Sequence, residues 1–156
     1  MLTLLLALSA CAPPTYVGPE ESLPSVRILF PNPDFMTEAD AARPVCSTFP
    51  VVIGVEDFEI VPAGDAPVPG EGHWHLHVDD PNLEQYLDVG LSNVIDLVTP
   101  LEPGPHTLYA ALRENTHAPL AEELAGSDIA FSEITVQDTP DCIGNFVEAD
   151  PDTGAE

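Results

Sequence analysis

The sequence predicts an all-β protein, an immunoglobulin-like antiparallel β-sandwich with a short helical insertion. Short apolar stretches recur along the chain, separated by clusters drawn from 18 Pro and 10 Gly, which is the pattern of strands joined by tight turns. No long stretch spaces its apolar residues at a helical period, and strand-like segments do not alternate with helical ones, which argues against a parallel α/β arrangement. A length of 156 residues with 44% apolar content supports one domain with a single core.

The chain begins with an apolar segment, Met1 to Ala10, containing Leu2, Leu4, Leu5, Leu6, Ala7 and Leu8. It is too short to cross a bilayer, which takes about 20 residues, and has the length of a signal-peptide core. The tetrapeptide Leu8-Ser9-Ala10-Cys11 directly after it resembles the lipobox of bacterial lipoproteins. That resemblance implies removal of residues 1–10, lipidation of Cys11 and the lipid bilayer as a partner. Residues 11–24, with Pro13, Pro14, Pro19 and Pro24, read as a stiff tether. Ala12 stands where an Asp would favour the inner membrane in the lipoproteins it resembles, implying an outer-membrane or surface address in the cell envelope.

The sandwich is expected over residues 25–145. Val26 to Phe30 reads as its first strand, ended by Pro31-Asn32-Pro33-Asp34, where proline removes backbone donors. Phe35 to Pro44 is a polar connection. Phe49 to Val61 carries the strongest strand signal, but Val51, Ile53 and Val55 alternate in one phase and Phe58 and Ile60 in the other. A phase slip turns the apolar set to the wrong face unless the strand bends, so an irregularity is expected at Glu56-Asp57. Pro62 to Gly72 is a loop of turn formers. Asn82 to Leu87 reads as a short helix, with Asn82 as N-cap and Gly90 as its stop. Val94 to Val98, His106 to Glu114 and Ile129 to Gln137 are further strands, with a loop or helical turn over Leu120 to Gly126. Residues 146–156 form an acidic tail with too few apolar groups to fold. With Cys11 lipidated, Cys46 and Cys142 remain as an even pair in an oxidising compartment, and a disulfide between them is expected.

The chemically informative stretch is Gly72-His73-Trp74-His75-Leu76-His77-Val78-Asp79. On a strand, His73, His75, His77 and Asp79 line one face and Trp74, Leu76 and Val78 the other. One face packs, with Trp74 in the core, and the other is free to bind. Neutral imidazole is a common ligand of zinc and copper, and two His at alternate positions converge on one ion. The competing reading is a half-exposed strand whose polar side is His.

From Phe49 onward the chain also resembles a family of bacterial exported domains of unknown function with the pattern G-x-G-H-x-H-L-x-x-D, then P-G-x-H-T-L and a further His. Here these are Gly70 to Asp79, Pro103-Gly104-Pro105-His106-Thr107-Leu108, and His117. The resemblance covers roughly Val26 to Val136, and Val61-Pro62-Ala63-Gly64 matches its Pro-Ala-Gly turn. It implies His73, His75, Asp79, His106 and His117 as family positions and sets His77 outside the ligand set. It names no reaction.

These readings converge on a transition-metal site of His73, His75, His106 and His117, taking copper or zinc, with Asp79 orienting an imidazole from outside the ligand set. His106 and His117 lie too far apart on one strand to reach the same ion unless the chain turns back. The narrower version is therefore a three-ligand site of His73, His75 and one of these two.

Charge excludes one class of partner: 27 Asp and Glu against 3 Lys and Arg give a formal −24, which repels nucleic acid and anionic lipid. The EF-hand pattern is absent, as are the G-x-S-x-G elbow, the H-E-x-x-H zinc motif and a phosphate-binding Gly loop. The sequence is thus read as non-enzymatic, a three-His metal-dependent hydrolase being the least strained enzymatic version. The alternative to metal binding is a non-catalytic interaction module for an envelope protein or polysaccharide, for which an exposed Trp74 would be the sign.

Overall fold

In the computed structural model, which describes residues 22–121 and 127–144, the first sheet is built on β1 (Ser25–Phe30) and β2 (Phe49–Glu56), paired antiparallel. β6 (Val94–Leu97) pairs with the other edge of β2. The second sheet centres on β4 (Glu71–Val78) and β7 (Gly104–Glu114), antiparallel to each other, with β8 (Ile129–Val136) beyond β7. β3 (Glu59–Ile60) and β5 (Asp88–Gly90) share the remaining edge of β4, β3 parallel to it and β5 antiparallel. The orders β1-β2-β6 and β3-β4-β7-β8, with β5 also paired to β4, fit an immunoglobulin-like sandwich. The lipoprotein segment and tether up to residue 21, residues 122–126 and the acidic tail lie outside the described residues.

Two expectations change in detail. The irregularity at Glu56-Asp57 is the point where the chain leaves one sheet for the other: Asp57 has φ 54°, β2 belongs to the first sheet and β3 to the second. The phase slip arises because the two apolar sets pack from opposite layers. Residues 82–87 form no helix, since Leu83 at φ 56° interrupts helical geometry and the segment is turn leading into β5. The helical insertion lies instead at a 3-10 turn, Pro33–Phe35, and α1 (Glu38–Ala41), capped by Asn32 and Thr37.

The core lies between the sheets, where Ile28, Val51 and Ile53 meet Trp74, Leu76, Leu108, Leu112 and Val136. Trp74 is fully buried and donates its indole N–H to Ser92 O at 2.8 Å, so its one polar group is satisfied. Its cross-strand neighbour is Gly90, where a Cβ would overlap the indole. Cys46 and Cys142 form the expected disulfide, with Cα atoms 5.0 Å apart.

Candidate metal centre

The outward face of the second sheet carries the site. Register places His73 opposite Arg113, His75 opposite Ala111 and His77 opposite Tyr109, so all six share that face. It is not a half-exposed polar strand, because His73, His75 and His77 are at most 4% exposed. Two segments cover it.

The first is the chain after β7. Glu114 N donates to Ala118 O and His117 N to Glu114 O, both at 2.9 Å, and Arg113 bridges Pro119 as the chain returns antiparallel. His117 sits in this turn at φ 68°, a left-handed conformation that His adopts more readily than most residues. The turn brings its ring back beside His73, centroids 4.4 Å apart.

The second is the loop after β4. Asp80 Oδ2 accepts from Gln85 N at 2.7 Å, His77 Nδ1 donates to Gln85 O at 3.0 Å, and Leu87 N donates to Leu76 O at 2.6 Å. This folds Tyr86 over His75, ring centroids 4.2 Å apart.

His73 Nε2, His75 Nε2 and His117 Nδ1 therefore form a nearly equilateral triangle with edges of 3.2, 3.0 and 3.1 Å. A neutral ring nitrogen is either a donor or an acceptor. Two kinds cannot alternate around three corners, so at least one edge pairs like with like. A cation shared by three lone pairs removes the conflict, and this triad is able to hold a metal ion. His73 Nδ1 is buried with no hydrogen-bond partner among the described residues.

The histidine chemistry suits the role. Burial, reinforced by the nearby His117 and Arg113, lowers the pKa of His73. Burial, then His73, Arg113 and the other histidines, pushes His75 down to about 3. Burial also lowers His77, against the hydrogen bond to Gln85. All three stay neutral where exposed imidazoles protonate, with lone pairs available.

A pH dependence follows for the metal-free protein. These side chains titrate near 6.5 when unfolded, so below that pH the unfolded chain binds more protons and stability falls as pH falls. Between pH 6.5 and 5, His75 alone costs about 2 kcal/mol at about 1.36 kcal/mol per unit. Because the raised pKa of His106 adds stability as pH falls, the drop is read by urea unfolding at pH 7 and pH 5 in a His106→Ala background, where equal stability at both would contradict the buried neutral assignment.

His106 does not join the triad. Its Nδ1 donates to Asp79 Oδ2 at 2.6 Å and its Nε2 to Glu102 O at 2.7 Å, and only an imidazolium donates from both nitrogens. Burial opposes that charge, but the Asp79 and Glu102 bonds outweigh it and raise the pKa. Asp79 does orient an imidazole, that of His106 and not one of the triad, while accepting from Thr107 N at 2.8 Å. The four-His site thus reduces to the three-His version with His117. Cys11 lies outside the described residues. With Trp74 in the core, the sign named for a carbohydrate platform is absent.

Sequence reasoning missed Arg113 and Tyr86. Arg113 carried a legible signal, being one of three Lys and Arg in the chain and set directly after the run Leu108 to Leu112 of its strand. Tyr86 carried none, since the fold of its loop depends on contacts with β4. No protein-family model, curated protein or solved structure matches the chain.

Proposed function

We propose that this is a bacterial envelope lipoprotein, anchored through lipidated Cys11, whose sandwich domain binds one transition-metal ion at His73, His75 and His117. The metal reading rests on the triangle of ring nitrogens. A tetrahedral ion about 2.0–2.1 Å from each imidazole spaces its ligands about 3.3 Å apart, close to the edges of 3.0–3.2 Å. A tetragonal Cu(II) site with three imidazoles has one trans pair roughly 4 Å apart, which three near-equal edges do not match. Geometry therefore favours zinc, whereas copper has the higher intrinsic affinity. The excess of carboxylates draws cations toward the domain without selecting among them.

The anchoring reading is supported by the apolar run, the Leu8-Ser9-Ala10-Cys11 tetrapeptide and the Pro-rich stretch after it. It accords with the exported family whose motifs the chain resembles.

Elemental analysis of protein purified from its native envelope tests the metal reading. One zinc or copper per chain is expected, and a metal-free protein that binds neither ion on titration would refute it. Anchoring is tested separately: Cys11→Ser is expected to release the protein from membranes, and unchanged membrane association would refute lipidation.

A further inference from the structure

The chain has no Lys and three Arg. Arg27 pairs with Glu56 and Arg43 with Asp40 at the surface. Arg113 is only 9% exposed and has no carboxylate within ion-pair distance among the described residues, although Asp128 is near enough to favour its charge. Placing a guanidinium at a nearly buried position is costly, and its place in the sheet supplies a reason.

Arg113 stands directly opposite His73 on the face that holds the triad, close enough for its charge to act on His73, His75 and His77. Among the described residues, no carboxylate joins the triad's ligand group. Three neutral imidazoles around a divalent ion leave its full charge uncancelled, and Arg113 lies across from His73 on the same face. His117, the triad's exposed member, leaves a way in from solvent.

We propose that the open coordination position takes a small oxyanion, bound through one oxygen to the metal and through another to the Arg113 guanidinium. The planar fork of Arg matches the oxygen geometry of carboxylates and phosphates, the chemistry the two share. This inference rests on the metal reading above, and its test separates the two.

The full chain is loaded with Co(II), whose visible absorption reports a change of ligand, and loading is first measured by calorimetry. Acetate and inorganic phosphate are then titrated separately into wild type, Arg113→Met and Arg113→Lys, each verified as folded by circular dichroism. Methionine replaces the buried charge with an apolar chain of similar reach, a change that cores tolerate. In wild type, one or both anions are expected to give a saturable spectral change, the better one marking the source class.

Arg113→Met is expected to weaken anion binding at least tenfold while binding Co(II) as tightly as wild type or tighter in anion-free buffer, because repulsion is relieved. Arg113→Lys, with the charge but not the fork, is expected to fall between. Failure of Co(II) to bind would overturn the metal reading and this inference with it. Co(II) binding with no anion response, or with equal anion affinity in wild type and Arg113→Met, would overturn this inference alone.

Discussion

Changing His73 and His75 together to Ala is expected to abolish stoichiometric zinc binding, while His106→Ala leaves it essentially intact. Four-ligand structural zinc sites are worth about 10–16 kcal/mol, so one ligand carries roughly 2.5–4 kcal/mol. His117→Ala alone should therefore weaken binding about 10²- to 10³-fold. His106 is the informative control. It belongs to the same motif set but is held by Asp79 and Glu102, away from the triangle of nitrogens. Calorimetric titration of the metal-free variants with Zn(II) and Cu(II) separates the cases. Undiminished binding in the double variant would leave the triad as an ordinary buried cluster, and a large loss in His106→Ala would restore the four-ligand site. Wild-type protein should also gain stability with zinc, by about 2.7 kcal/mol when free zinc is a hundredfold above the dissociation constant.

Removing the Cys46–Cys142 disulfide is expected to cost about 2–4 kcal/mol of stability without loosening the metal site. The sequence separation is 96, for which the chain-entropy model predicts about 4.7 kcal/mol as an upper figure. Part of the junction survives reduction, because Cys46 N donates to Ile143 O and Ile143 N to Pro44 O, each at 2.9 Å. The disulfide joins the approach to β2 to the segment after β8. Val136, at the end of β8, pairs with Gly104 at the start of β7, whereas Arg113 and the triad stand at the other end of β7. Nine strand residues at about 3.3 Å each put roughly 30 Å between them. Effects at such distances are independent, so Cys46→Ala/Cys142→Ala should lower the urea midpoint while zinc affinity stays within about threefold. Two free thiols in the oxidised native protein would contradict the pairing.

Much of the fold was legible because strands announce themselves locally. The runs at Val26, His73, Val94, His106 and Ile129 each carry their own alternation and turn punctuation, and each became a strand within a few residues of its expected bounds, while the run at Phe49 divided into β2 and β3 at its phase slip. The failure at Asn82–Leu87 has a physical cause: its helical pattern is short, and short helices gain too little from propensity to outweigh tertiary contacts. There the bonds from Gln85 to Asp80 and His77 and from Leu87 to Leu76 took the backbone elsewhere.

That His73 and His75 share a face with Trp74 opposite them was legible from the residues alone, because side-chain direction on a strand follows from parity. The Cys46–Cys142 disulfide was expected on the premise that Cys11 is lipidated, and the structure forms it. Which histidine completes the triad depends on long-range strand pairing. His106 and His117 lie at opposite ends of β7, and no local feature distinguishes them as partners for β4. The choice is made by register, which sets Arg113 against His73 and Leu108 against Val78. His106 is thereby carried to Asp79, and His117, returned by its turn, to His73. Register between distant strands is a property of how two apolar faces and their turns fit together, and neither strand carries it alone.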